Sequence, residues 1–377
     1  MGANVVKEYL DGAEAVVRGA LDSGCDFFAG YPITPSSAIL VRMMRELPRR
    51  SAVAVQGEDE IASLGMCIAA SMTGRRVLTA TSGPGISLYS ENLGLAIMGE
   101  VPLVIVNVQR LGPATGGATT GAEGDVQFVQ WGTSGGLPMV VLTPTDVATT
   151  YWLTTLAFKL AEGLRIPVII NTSKDLIQTM ETVDVEAWRS EDVAPRLAYA
   201  GEEPYLPYAY NAPTQIPAFL PIGADIQVRF TTSMHDQRAL LTKKPAEVKR
   251  LYDHLSEKIM GRRVELTHIL EDFEPGATTL VVASGVSARS AKAAVDEVRE
   301  AGGKVNMLTL YTVWPVPEEA LTKAAAGMTK IVVPELNLGL YAREVERVLS
   351  SHTVIRVNRV DGELLDARQI IQEGGLL

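Results

Sequence analysis

The sequence predicts an α/β protein, a doubly wound parallel sheet followed by a second α/β unit, and three observations predict it. Short β-branched runs alternate with helix-period segments from about residue 16 to about residue 173. A stretch of prolines, tyrosines and small residues over 199–237 then breaks the rhythm. The alternation returns and runs to about residue 357. With 377 residues and 47% hydrophobic content the chain can bury more than one core, so two or three domains are expected rather than one.

In the first unit the strand-like runs are 26–29, 52–56, 77–81, 103–108, 139–142 and 168–171. Amphipathic segments lie between them at 36–47, 61–72 and 147–164. Apolar strands separated by helices are the pattern of a parallel sheet covered on both faces. Over 199–237 the residues Pro204, Pro207, Pro213, Pro217 and Pro221 deny the chain both helix and ladder, which predicts an extended arm. The arm is too apolar for a free linker and is expected to pack across a partner or the neighbouring domain. A helix over 246–260 leads into the second unit. Its strands are read at 279–283, 304–310, 330–333 and 354–357, and its helices at 288–300, 318–326 and 342–350.

A net charge of -10, with the basic pairs Arg49-Arg50 and Arg262-Arg263 short and isolated, argues against a nucleic-acid or anionic-membrane partner. No apolar stretch approaches about eighteen residues and the first ten residues carry Lys7 and Glu8, so no membrane insertion and a cytoplasmic location are expected. The two cysteines, Cys25 and Cys67, exclude a disulfide framework and leave too few thiolates for an iron-sulfur cluster. His235, His254, His268 and His352 stand too far apart in sequence for a ligand motif, so no metal site made by this chain alone is expected.

Ligands of open α/β sheets bind at the carboxyl ends of strands, so the residues just after each apolar run carry the candidates. Thr34, in Tyr31-Pro32-Ile33-Thr34-Pro35-Ser36-Ser37, fits an N-cap with Pro35 at the first helical position, an arrangement that favours an anion such as a carboxylate. Glu60 closes Gln56-Gly57-Glu58-Asp59-Glu60 and opens a helix. With Leu64, Cys67 and Ser71 it forms a stripe facing the interior, where an apolar wall would suit a carboxyl that exchanges protons with a buried base. In Thr81-Ser82-Gly83-Pro84-Gly85 a strand runs into a turn before another helix; its glycines permit close approach of a flat ligand, and Ser82 could cap the helix. Arg110, ending the strand before Leu111-Gly112-Pro113-Ala114-Thr115-Gly116-Gly117, would aim a fork of donors at a carboxylate. Each also has a structural reading: a cap and rigid turn, a first-turn acid serving the helix dipole, a plain turn, and an arginine stitching its loop down through carbonyls.

Together and in this order, YPITPSS, QGEDEIASLG, TATSGPG and VQRLGPATGG resemble the motif series of the alpha subunit of 2-oxoacid:ferredoxin oxidoreductases, most closely the 2-oxoglutarate type. The resemblance continues through Val281 to Gly285, LTLYTVWP from Leu308 and VPELNLG from Val333, and so spans most of the chain. It implies a thiamine-diphosphate pyrimidine-binding domain over 1–198, a connecting arm and helix over 199–260, and a transketolase C-terminal-like α/β domain over 261–377. It places Glu60 where the family's glutamate contacts the aminopyrimidine ring and, through the ring's amine, readies the thiazolium for attack on the 2-oxoacid carbonyl. It places Thr34 and Arg110 at the substrate carboxylate, and Pro32, Ser82, Gly83, Pro84 and Gly85 beside the cofactor.

Thiamine enzymes hold the diphosphate and its magnesium through a GDG motif, and here the nearest approach is Gly124-Asp125-Val126. The resemblance therefore implies that the cofactor is shared with a beta subunit carrying the diphosphate-binding domain, Mg2+ and a [4Fe-4S] cluster. Separate gamma or ferredoxin-type subunits can join them. The implied reaction takes a 2-oxoacid, coenzyme A and oxidised ferredoxin to acyl-CoA, carbon dioxide and reduced ferredoxin, and this chain alone is expected to be inactive. Leu111, Ala114 and Gly117-Ala118 depart from the RGGPSTG of 2-oxoglutarate-type relatives, and Leu111 leaves pyruvate, branched-chain and aryl 2-oxoacids open as substrates. Two other readings compete: a non-redox thiamine-dependent 2-oxoacid decarboxylase component, which does not predict the second unit's motifs, and a non-catalytic α/β scaffold. The absence of GxGxxG after a first strand and of GxxxxGK[ST] weighs against the scaffold.

Overall fold

The computed structural model describes residues 7–189, 192–201 and 204–377. Its strands in chain order begin with β1 (Lys7–Asp11), β2 (Phe27–Gly30), β3 (Val53–Gln56), β4 (Val77–Thr81), β5 (Leu103–Gln109), β6 (Val140–Leu142), β7 (Pro167–Ser173) and β8 (Met180–Asp184). There follow β9 (Ile269–Asp272), β10 (Thr279–Ser284), β11 (Asn306–Leu310), β12 (Thr312–Trp314), β13 (Lys330–Glu335) and β14 (Thr353–Asn358). One sheet runs β12-β6-β7-β5-β4-β2-β3, parallel throughout except where β12 meets β6. A second runs β14-β13-β10-β11-β9 and is antiparallel only at β9. These are the mixed α/β sheets that the alternating sequence calls for.

Strand β5 shows why the first sheet is central. All seven of its residues are buried, and side chains alternate between faces along a strand. Val104, Val106 and Val108 pack in one core with Val168 and Ile170 of β7 and with Leu153 and Phe158 of the helix Val147–Leu164. Leu103 and Ile105 face a second core that also holds Leu308, Val313 and Val333. Residues of both units thus share one apolar cluster, and removing a side chain as large as Ile105 would cost about 2–5 kcal/mol.

The stretch LTLYTVWP divides between the sheets. The chain leaves the second sheet at Leu310 and forms β12 against β6 of the first, where Trp314 Nε1 donates to the Val126 carbonyl at 2.7 Å. The strand expected over 304–310 stops at this switch, and nothing in the sequence marks β12 as a separate strand, because both halves are equally apolar.

Residues 204–244 form the arm, with no long element of their own. It packs over the amino ends of the first sheet's strands, fixed by Arg165, which precedes β7. Arg165 Nη1 donates to the carbonyls of Pro207, Pro217 and Ala218, and its guanidinium lies 5.7 Å from the Phe219 ring centroid. The helix Pro245–Met260 then inserts His254 and Lys258 beside buried Glu100, 3.1 and 2.8 Å from its Oε2. With the amino ends covered, the carboxyl ends of the strands are left for a site.

Candidate active site

Strand order reverses at β2. The chain moves from β2 to β3 on one side and returns through the helix Glu60–Met72 to β4 on the other, which opens a crevice at the carboxyl ends of β2 and β4. The loop after β2 carries Pro32 and Thr34, the helix after β3 begins with Glu60, the segment after β4 is Ser82–Gly85, and β5 ends beside Arg110. The topology therefore brings the sequence-predicted residues to one end of one sheet.

Glu60 is 6% exposed, and Leu64, Cys67 and Ser71 beneath it are buried, so the stripe faces inward as the spacing predicts. Asp59 caps the helix by accepting from the Ala62 N–H at 2.7 Å, which frees Glu60 from that task. Among the described residues nothing donates a hydrogen bond to its carboxylate. The helix Gly83–Leu88 comes against it: a Cβ added to Gly85 would lie 2.0 Å from Thr81 Oγ1 and 2.8 Å from Glu60 Oε1. Thr81 Oγ1 and Ser82 Oγ are buried without partners.

Two local expectations are corrected. Ser82 stands at the N-cap, but its hydroxyl makes no capping bond; its carbonyl accepts from the Gly85 and Ile86 N–H groups, and Gly83, Pro84 and Gly85 form the helix's first turn rather than a turn before it. Thr34 is not an N-cap either. The chain turns over 33–37, where the Ser37 N–H donates to the Ile33 carbonyl and Ser36 Oγ does likewise at 3.0 Å, so the helix begins at Ser37 with Ser36 as its cap. Thr34 remains exposed at the crevice, and Pro32 is exposed beside it.

Arg110 joins the loops. One Nη donates to the Thr34 carbonyl and the other to the Thr115 carbonyl at 3.1 Å, while its buried Nε has no partner. The guanidinium thus stitches loop to loop and still lines a cleft of about 440 Å3. Gly83, Ile86, Leu111 and Phe128 form part of that cleft on the first unit, and Leu336, Asn337, Leu338 and Val360 close it from the second.

Sequence reasoning missed the polar residues inside the strands. Asn107 of β5 and Asn171 of β7 are ladder neighbours joined by a 2.9 Å hydrogen bond, and Asn107 Nδ2 also donates to Asp125 Oδ2 at 2.9 Å. Their signal is an asparagine within each otherwise apolar run, LVIVNVQ and PVIINTS. Glu123, beyond Gly124, accepts from the Val286 N–H and Ser287 Oγ at 2.9 Å each, and burial pushes its pKa up to about 7. Burial raises Glu335 too, although the N–H groups of Tyr341 and Ala342 oppose it. Both free cysteines are buried, and burial pushes the Cys67 thiol up to about 12. Among the described residues no His, Cys, Asp and Glu gather to hold a metal, and no helix is long and apolar enough to cross a membrane.

Comparison with known proteins gives a consistent set of likenesses. Residues 18–250 match the family described as pyruvate flavodoxin/ferredoxin oxidoreductase, thiamine diphosphate-binding, and residues 277–370 match pyruvate:ferredoxin oxidoreductase core domain II. A 2-oxoglutarate synthase subunit of Methanothermobacter thermautotrophicus is 36% identical over 96% of each chain. A ketoisovalerate oxidoreductase subunit of Methanothermobacter marburgensis is 32% identical over 97% of this chain and 96% of its own. The solved 2-oxoglutarate:ferredoxin oxidoreductase from Magnetococcus marinus, with 2-oxoglutarate, coenzyme A and succinyl-CoA bound, superposes with a TM-score of 0.89 at 26% identity. That match covers 97% of this chain and 64% of the solved one.

Proposed function

The chain belongs to the pyruvate flavodoxin/ferredoxin oxidoreductase family, and from that membership we propose that it is the alpha subunit of a 2-oxoglutarate:ferredoxin oxidoreductase, active only with a partner. The complex converts 2-oxoglutarate, coenzyme A and oxidised ferredoxin to succinyl-CoA, carbon dioxide and reduced ferredoxin. One observation carries the reading: a buried glutamate without a hydrogen-bond donor comes with the unpartnered Thr81 hydroxyl against Gly85 at the switch point of a parallel sheet, and Arg110 at the end of the neighbouring strand lines a cleft.

Those residues fit the aminopyrimidine end of thiamine diphosphate. When bound, thiamine diphosphate would supply the nucleophilic and electron-accepting chemistry that decarboxylation of a 2-oxoacid needs. Glu60 would exchange a proton with the pyrimidine ring, and its burial would keep water from competing for that contact. Thr81 and Ser82 offer hydroxyls to the same ring, Gly83, Pro84 and Gly85 border it, and Pro32 lies across the crevice. Thr34 and the unpartnered Nε of Arg110 hold the substrate carboxylate.

The diphosphate, Mg2+ and [4Fe-4S] cluster are assigned to a partner beta subunit, on the sequence grounds that this chain lacks a GDG motif and cysteine clusters. Gamma or ferredoxin-type subunits complete the electron path. We also propose a cytoplasmic location, since no apolar stretch of the sequence approaches about eighteen residues.

A second reading, a branched-chain or aryl 2-oxoacid, is favoured by one specific feature. Arg110 is the sole cation among the described residues lining the cleft, whose walls include Leu111, Ala114 and Phe128, so a second substrate carboxylate would need a cation from the partner. Turnover of a panel of 2-oxoacids by the co-purified complex, with coenzyme A and a low-potential dye, decides between them. Preference for 2-oxoglutarate supports the first reading, preference for 2-oxoisovalerate or phenylpyruvate the second, and no dye reduction with any of them refutes both.

A further inference from the structure

The cleft contains one other titratable side chain besides Arg110 among the described residues, Asp125. It is held from two sides. Asn107 Nδ2 donates to Oδ2 at 2.9 Å, and the Asp125 backbone N–H donates to Gln109 Oε1 at 3.0 Å. Asn107 is itself fixed by Asn171 across the β5–β7 ladder. The second carboxylate oxygen has no partner among the described residues. An asparagine would anchor the loop equally well, since its amide oxygen accepts the same bond from Asn107. A carboxyl costs more to bury than an amide, so its presence in a largely apolar cleft points to proton chemistry.

Resting on the function proposed above, we propose that Asp125 is the base that accepts the thiol proton of coenzyme A in the acyl-transfer half of the reaction. The S–H bond breaks and its proton passes to the free carboxylate oxygen of Asp125. The sulfur's electron pair forms the C–S bond of the thioester, the acyl carbon's bond to the cofactor breaks, and the two electrons of the oxidation leave to oxidised ferredoxin. The proton then leaves Asp125 to solvent through the open cleft. Burial raises the Asp125 pKa, with the Asn107 hydrogen bond and the Arg110 charge opposing it, which brings a carboxylate closer to the range of a useful base. The charged side chains about it are Arg110 at the end of β5 and Glu123 beyond Gly124, the latter turned toward Val286 and Ser287. Asn337, from the second unit, adds no charge.

The test compares wild type with Asp125→Asn and Asp125→Glu in the co-purified complex. Asp125→Asn should lower coenzyme A-dependent kcat about a hundredfold, while single-turnover release of carbon dioxide without coenzyme A changes by less than about twofold. Asp125→Glu should recover part of the loss, and the acidic limb of the wild-type pH profile should disappear in Asp125→Asn. In the thiamine-free complex, a protonated-carboxyl infrared band that titrates in wild type should be absent from Asp125→Asn. Equal losses in both half-reactions, or an unchanged coenzyme A-dependent rate, overturn the assignment. A wild-type complex that releases no carbon dioxide from any 2-oxoacid overturns the functional reading and this assignment with it.

Discussion

Gly85 and Glu60 compete for one place: a Cβ added to Gly85 would stand 2.8 Å from Glu60 Oε1, with Thr81 Oγ1 closer still at 2.0 Å. Glycine is therefore what lets the helix Gly83–Leu88 lie against the carboxyl.

Gly85→Ala is expected to displace Glu60 while leaving the complex assembled. A misplacement of about an ångström can cost about a hundredfold in rate, and that is the loss expected in kcat. Turnover measured against increasing thiamine diphosphate checks it; the variant should also need more cofactor to saturate.

The arm's attachment predicts a stability effect remote from the site. Glu100 is buried, and although burial alone would raise its pKa, Lys258, His254 and Arg165 outweigh that and hold it ionised. Lys258→Met leaves that carboxylate short of its closest cation, at a cost of about 3–5 kcal/mol. Denaturant unfolding measures it, and adding Glu100→Gln to Lys258→Met should restore part of the loss.

Glu123 makes stability depend on pH. Its folded pKa, raised by burial to about 7 from the ordinary 4.5, means the native chain holds a proton that the unfolded chain has released. The stability from this group is fully present below about 4.5 and is lost as pH rises through about 7. Glu335 acts in the same direction. Unfolding free energy should fall between about pH 5 and about pH 8, and fall less in Glu123→Gln.

Arg110→Ala separates positioning from chemistry. It removes the bonds to Thr34 and Thr115 together with the donor at the cleft floor, so KM for the 2-oxoacid should rise at least about tenfold, in line with the roughly 1.5–3 kcal/mol of a charge-assisted hydrogen bond. Steady-state kinetics on the substrate panel checks this.

Much of this fold was legible because its strands are short and apolar and its helices long and periodic. The run 77–81 is β4, and the segment 147–164 is the helix Val147–Leu164. The pair β1 and β8 was not read, since each strand is short, partly exposed and distant in sequence from its partner. The helix Gly12–Asp22 was missed although its signal is present, Asp11 and Glu14 forming a capping box. At the site, Glu60's inward stripe and Arg110's strand-end position were readable from spacing. The contact of Gly85 with Glu60, and the line from Asn171 through Asn107 to Asp125, depend on which strands become neighbours, and periodicity carries no such information.

The most direct test of the central claim is thiamine diphosphate-dependent dye reduction by the co-purified complex, wild type against Glu60→Gln. Loss of at least about a hundredfold in turnover, with the partner still bound, is the predicted result. Full activity in Glu60→Gln would contradict it.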